Sequence, residues 1–142
     1  MRYLVDTSAL VRIWRKQVDP GCREFARRGL ITICEPVLAE TLMAVDAKRY
    51  AKTEEEFRGT YVWASVPDDI WDLVAAVRRD LVVHGAHKAL SIADLVIAAT
   101  AIRLKLVVLH EDHDFETVAR VIPELRERRV SQRPDEQDPV YS

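Results

Sequence analysis

Between Ala89 and Ile102 the chain is apolar except at Ser91, Asp94 and Thr100. A helix made of these residues is apolar on every side, so it needs other elements packed all around it. The stretch is too short to cross a bilayer, which takes roughly 20 apolar residues, and it carries Asp94 in its interior. It is read as the inner helix of a layered, soluble domain. At 142 residues, one domain with a real core is the natural organisation.

The elements around it alternate. Tyr3-Leu4-Val5 is a short strand that stops at Asp6-Thr7-Ser8, a helix-start signal. Ala9, Leu10, Ile13 and Trp14 then recur at helical spacing, with Arg12, Arg15 and Lys16 on other faces. Asp19-Pro20 opens a second helix through Phe25, closed by Gly29, and Leu30 to Cys34 reads as a second buried strand. Glu35-Pro36 starts a helix expected to reach about Tyr50, and Thr53-Glu54-Glu55-Glu56 matches a capping box at the head of another. A helix from Pro67-Asp68-Asp69 ends near Gly85, Ser91 opens the inner helix, and Leu106 to Leu109 is a buried strand. Asp112-His113-Asp114-Phe115 turns into a further helix. This alternation predicts a three-layer α/β domain, a central mostly parallel sheet flanked by helices, over residues 1–133. Residues 134–142 are a polar tail expected to be disordered.

Ligands on such sheets bind beyond the carboxyl ends of the strands, where the acids of this chain fall. Asp6 ends the first strand and Asp112 follows the Leu106–Leu109 strand, with Asp114 two residues on. Asp94 sits in the inner helix, where an isolated charge costs several kcal/mol even after relaxation, so it must be paired, hydrogen-bonded, protonated or on a metal. Glu40 lies between Leu38 and Leu42 on a mostly apolar segment. Each has a structural alternative. Asp6 suits a helix N-cap, Ser91-x-x-Asp94 suits a capping box, Glu40 suits a helix dipole, and Asp112-x-Asp114 suits an Asx turn. Converging at one sheet edge, they would repel one another unless a cation sat among them. Hard oxygen donors favour Mg²⁺ or Mn²⁺, which suit phosphoryl chemistry.

The motifs carrying these acids resemble those of PIN-domain nucleases: Tyr3-Leu-Val-Asp6-Thr-Ser-Ala-Leu, Pro36-Val-Leu-Ala-Glu40, Ser91-Ile-Ala-Asp94-Leu-Val-Ile-Ala-Ala-Thr-Ala101 and Val108-Leu-His-Glu-Asp112-His-Asp114-Phe115. Their order, spacing and small frame resemble the VapC toxins of bacterial toxin–antitoxin pairs, over Met1 to Val130. The resemblance implies a PIN-like fold and an endoribonuclease that needs Mg²⁺, for which Mn²⁺ can substitute. It implies neutralisation by a VapB-type antitoxin, a homodimer, and products with a 5′-phosphate and a 3′-hydroxyl. The implied metal ligands are Asp6, Glu40, Asp94 and Asp112, with Asp114 as an accessory catalytic acid. Thr7 and Ser8 would lend hydroxyls beside Asp6. His110 departs from the pattern, since many relatives carry Thr or Ser there; it is free to meet phosphate or to pack. Arg12, Arg15 and Lys16 are candidate RNA contacts, or an ordinary solvated face.

Other classes fit less well. Only Cys22 and Cys34 are present, which excludes a disulfide scaffold and suits a reducing cytoplasm. Asp6 interrupts the first apolar run, against a signal peptide. With four Gly there is no phosphate-cradling loop. His84/His87 and His110/His113 could be zinc pairs, but the cysteines lack zinc-site spacing. Trp14, Trp63 and Trp71 sit in apolar-periodic segments and are expected in core or dimer packing. Receivers and haloacid-dehalogenase-like phosphatases want paired acids after the first strand, where this chain has Asp6-Thr7-Ser8. A degenerate scaffold is the non-enzymatic alternative. The net charge of −2 argues against a nucleic-acid coating protein. Without the five site acids, however, 21 Lys and Arg face 18 acids, a mildly basic body.

Overall fold

The computed structural model describes residues 2–132; the 134–142 tail lies outside them. The chain runs β1 (Tyr3–Val5), α1 (Thr7–Trp14), α2 (Pro20–Arg27), β2 (Ile31–Ile33), α3 (Glu35–Leu42), α4 (Ala47–Thr60), β3 (Val62–Trp63), α5 (Ile70–Val83), α6 (Ile92–Leu104), β4 (Val107–His110), α7 (His113–Val121) and β5 (Arg126–Arg129). The sheet order is β3-β2-β1-β4-β5 and every pairing is parallel, as expected of an α/β domain. Parallel strands need covered faces, and β1, β2 and β4 are buried at every residue.

The inner helix is as its composition requires. Leu95 through Ala101 are all buried in α6, although Ile92 at its start is 72% exposed. The Ser91 hydroxyl accepts the Asp94 N–H at 3.2 Å and starts the helix. Lys105 ends it in the left-handed region at φ 58°, a conformation that glycine adopts more easily.

Two expected boundaries are corrected. The Glu35 helix stops at Leu42, not near Tyr50, and α4 begins after Asp46, whose backbone is extended at ψ 145°. Thr53 therefore lies mid-helix, buried like Phe57 on the inner face of α4, and caps nothing. Burial of that face overrides the local capping pattern. The tryptophans are only partly covered: Trp14 meets Phe57 edge-on, and the Arg58 guanidinium lies 4.3 Å from the Trp63 ring.

Candidate active site at the carboxyl edge of the sheet

The chain adds β2 and β3 on one side of β1, then crosses to place β4 and β5 on the other. This reversal of strand order opens a crevice between the ends of β1 and β4, where doubly wound sheets bind ligands. Asp6 leaves β1 there, its N–H donating to Leu109 O of β4 at 3.0 Å. Its carboxylate caps α1, accepting the Ala9 N–H at 2.9 Å and the Ser8 hydroxyl at 2.8 Å. The capping expectation is thus correct. It does not exhaust the residue, because Asp6 is only 3% exposed. Burial pushes its carboxyl up to about 7; the Ala9 and Ser8 hydrogen bonds oppose this, and Asp94 and Asp112 add to it.

Asp94 is half-buried in the first turn of α6. Burial raises its carboxyl above the usual range, the Ser91 hydroxyl lowers it, and Glu40, Asp112 and Asp114 raise it again. Glu40 is exposed on α3, which packs against both α1 and α6. Asp112 caps α7 by accepting the Asp114 N–H at 2.9 Å. Five acids from four separate segments of the chain therefore share one electrostatic field at the sheet edge.

The loop between β4 and α7 is tied down by Ser8 and His110 and by Glu111, Glu116, Arg129 and Ser131, four residues that the sequence did not single out. The Ser8 hydroxyl accepts the Glu111 N–H at 3.0 Å, and His110 Nδ1 accepts the Asp112 N–H at 3.0 Å. The Glu111 carboxylate accepts from Arg129 at 3.0 Å and from the N–H and hydroxyl of Ser131, each at 3.0 Å. Arg129 also bridges to Glu116. Only the Arg-rich run of β5 could have signalled these partners, and its lack of apolar residues hid the strand itself.

Other expected contacts are placed as follows. The Arg12 guanidinium donates to Ser8 O within α1 at 3.1 Å. Arg15 and Lys16 are exposed beyond the far end of α1, roughly 13 Å along the axis from Asp6 at 1.5 Å per residue. Of the two alternatives for His110 the structure takes packing: the residue has no exposed surface with which to meet a phosphate, and its ring lies against Phe115 at 5.3 Å. Burial pulls its imidazole below the ordinary range, opposed by Glu127. The Thr7 hydroxyl is buried and finds no hydrogen-bond partner among the described residues.

The donor set fits a hard divalent cation in kind, being oxygen-only and mutually repulsive. Among the described residues, no three His, Cys, Asp or Glu side chains close into a ready-made coordination cluster. The acids instead line an open edge.

Residues 3–121 match the model of the PIN domain family. Ribonuclease VapC6 of Mycobacterium tuberculosis (strain CDC 1551 / Oshkosh) is 36% identical over 106 residues, 74% of this chain and 84% of the relative. Ribonuclease VapC21 of the same strain is 30% identical over 125 residues, 84% of this chain and 88% of the relative. Among solved structures, DNA-bound VapBC from Salmonella typhimurium aligns with a TM-score of 0.74 at 17% identity, covering 91% of this chain and 98% of that one. That likeness concerns the fold.

Proposed function

The chain belongs to the PIN-domain family and its VapC branch, and on that footing we propose that it is an endoribonuclease dependent on Mg²⁺, with Mn²⁺ able to substitute. The observation that carries this reading is the convergence of Asp6, Asp94, Asp112, Glu40 and Asp114 at the strand-order reversal, where each acid's charge opposes the next. Asp6, Glu40, Asp94 and Asp112 would hold the cation. When bound, it would activate water and neutralise charge on the scissile phosphate.

The chain's own residues do the rest. Ser8 orients the Asp6 carboxylate and, through the Glu111 N–H, ties the end of β1 to the β4–α7 loop. The Asp114 N–H takes one oxygen of Asp112 and leaves the other for the cation, while the Ser8 hydroxyl lies within reach of both Asp6 oxygens, at 2.8 and 2.9 Å. Asp114, exposed at the edge, supports the set as an accessory acid. Arg12, the nearest of the three basic candidates to Asp6 in sequence, would draw the RNA backbone toward the acids.

A VapB-type antitoxin is the proposed partner, in keeping with VapBC complexes among the fold's neighbours. A homodimer belongs to the same reading, and Trp71 at 59% and Ile92 at 72% exposure offer apolar surface for it. The proposed location is the cytoplasm; no helix among the described residues is long and apolar enough to cross a membrane.

Incubation of the purified chain with an RNA pool tests this directly. Cleavage with Mg²⁺, none with chelator, and products bearing a 5′-phosphate are expected. A scaffold that binds without cutting is the alternative. A metal-dependent rise in melting temperature with no cleavage would select it.

A further inference from the structure

The peptide plane before Asp112 is held by a side chain that is neither exposed nor charged. Where β4 ends, the N–H groups of Glu111 and Asp112 have left the sheet ladder and need other acceptors. Ser8 supplies the first and His110 the second. A residue that accepts the N–H two positions ahead does what Asx and Ser/Thr turns do. Here an imidazole does it, from a fully buried ring fixed against Phe115. An acceptor for the Asp112 N–H must be a nitrogen without a proton, so the hydrogen bond assigns the Nε2–H tautomer. Among the described residues His110 Nε2 is buried with no hydrogen-bond partner within 3.5 Å, and Glu127 of β5 faces it with Oε2 at 3.6 Å. That carboxylate favours a proton on Nε2 and so keeps Nδ1 bare.

We propose that His110 is a positioning residue for the metal centre, its Nδ1 fixing the Asp112 backbone so that the Asp112 carboxylate stays beside Asp6. The inference rests on the metal-dependent reading above. Loss of the acceptor frees the peptide to turn, and Asp112 then spends part of its time away from the other acids. Partners that orient metal ligands typically change affinity by about 10- to 100-fold when removed.

The test uses the whole chain with Mn²⁺ alone as ligand, read by calorimetry or Mn²⁺ electron paramagnetic resonance. His110→Phe keeps a ring against Phe115 but removes the acceptor; about tenfold weaker binding is expected. His110→Asn returns an acceptor at the Nδ1 position and is expected to bind within about twofold of wild type, in the manner of an Asx turn. Unchanged binding in His110→Phe overturns the inference alone, and so does equal weakening in a folded His110→Asn. A wild-type chain that binds no Mn²⁺ overturns the metal reading and this inference with it. Should His110→Phe fail to fold, ¹⁵N-imidazole spectra of wild type decide the matter: a bare Nδ1 with protonated Nε2 supports the assignment, and a protonated Nδ1 refutes it.

Discussion

Replacing Asp6 by Asn should stabilise the metal-free protein, and the gain should depend on pH. The Asp6 carboxyl is raised from 3.8 to about 7, chiefly because it is buried. Below pH 3.8 the folded and unfolded chains both hold the proton, and ionisation costs the fold nothing. Between 3.8 and about 7 the unfolded chain releases the proton while the folded chain keeps it, so stability falls as pH rises. Above 7 the charge stays buried and the loss is complete. At about 1.4 kcal/mol per pKa unit, the full loss is roughly 4 kcal/mol, of which less than half is already present at pH 5. Asn removes the charge, and its side-chain oxygen can still accept the Ala9 N–H, so the α1 cap survives. Urea unfolding in chelator should therefore show a stability gap between Asp6→Asn and wild type that widens by roughly 2–3 kcal/mol from pH 5 to pH 8. Added Mg²⁺ should close the gap by stabilising only wild type. A gap of constant size, or one that shrinks with pH, would refute the buried-charge account of Asp6.

Three further outcomes follow from particular contacts. Ser91→Ala removes the hydroxyl that accepts the Asp94 N–H and should lower stability by about 1 kcal/mol in chelator, measured by urea titration. Lys105→Gly relieves the left-handed turn at φ 58° and should raise stability by about 0.5–1 kcal/mol, seen as a higher urea midpoint, with cleavage unchanged. Arg129→Ala unties Glu111 and Glu116; it should weaken Mn²⁺ binding and speed amide exchange in residues 111–113, while exchange in α6 stays slow.

The sheet centre and the inner helix were legible because their constraint is local composition. Tyr3-Leu4-Val5 and Val107–His110 are too apolar to lie anywhere but between layers, and α6 had to be enclosed. The acids were legible because each follows a readable strand end or interrupts a readable apolar run. Strand β5 was not legible: Arg126-Glu-Arg-Arg has no apolar pattern, and its pairing is set by the β4 backbone beside it. The break between α3 and α4 was hidden for a similar reason, since Met43 to Asp46 contain neither Gly nor Pro. His110 shows the limit most clearly. The two residues after it, Glu111 and Asp112, are acids, yet the ring itself turns inward, and only packing against Phe115 and Glu127 decides that.

The central claim is that this edge holds a catalytic cation, and Asp94→Asn tests it most directly. Asp94 approaches from α6 rather than from a strand end, and the Ser91 cap on its N–H does not depend on its charge. RNA cleavage by wild type and Asp94→Asn should be compared across a Mg²⁺ titration, with melting curves to confirm that both are folded. A folded variant whose cleavage is abolished at every Mg²⁺ concentration is the expected result. A folded Asp94→Asn that cuts RNA as fast as wild type would contradict it.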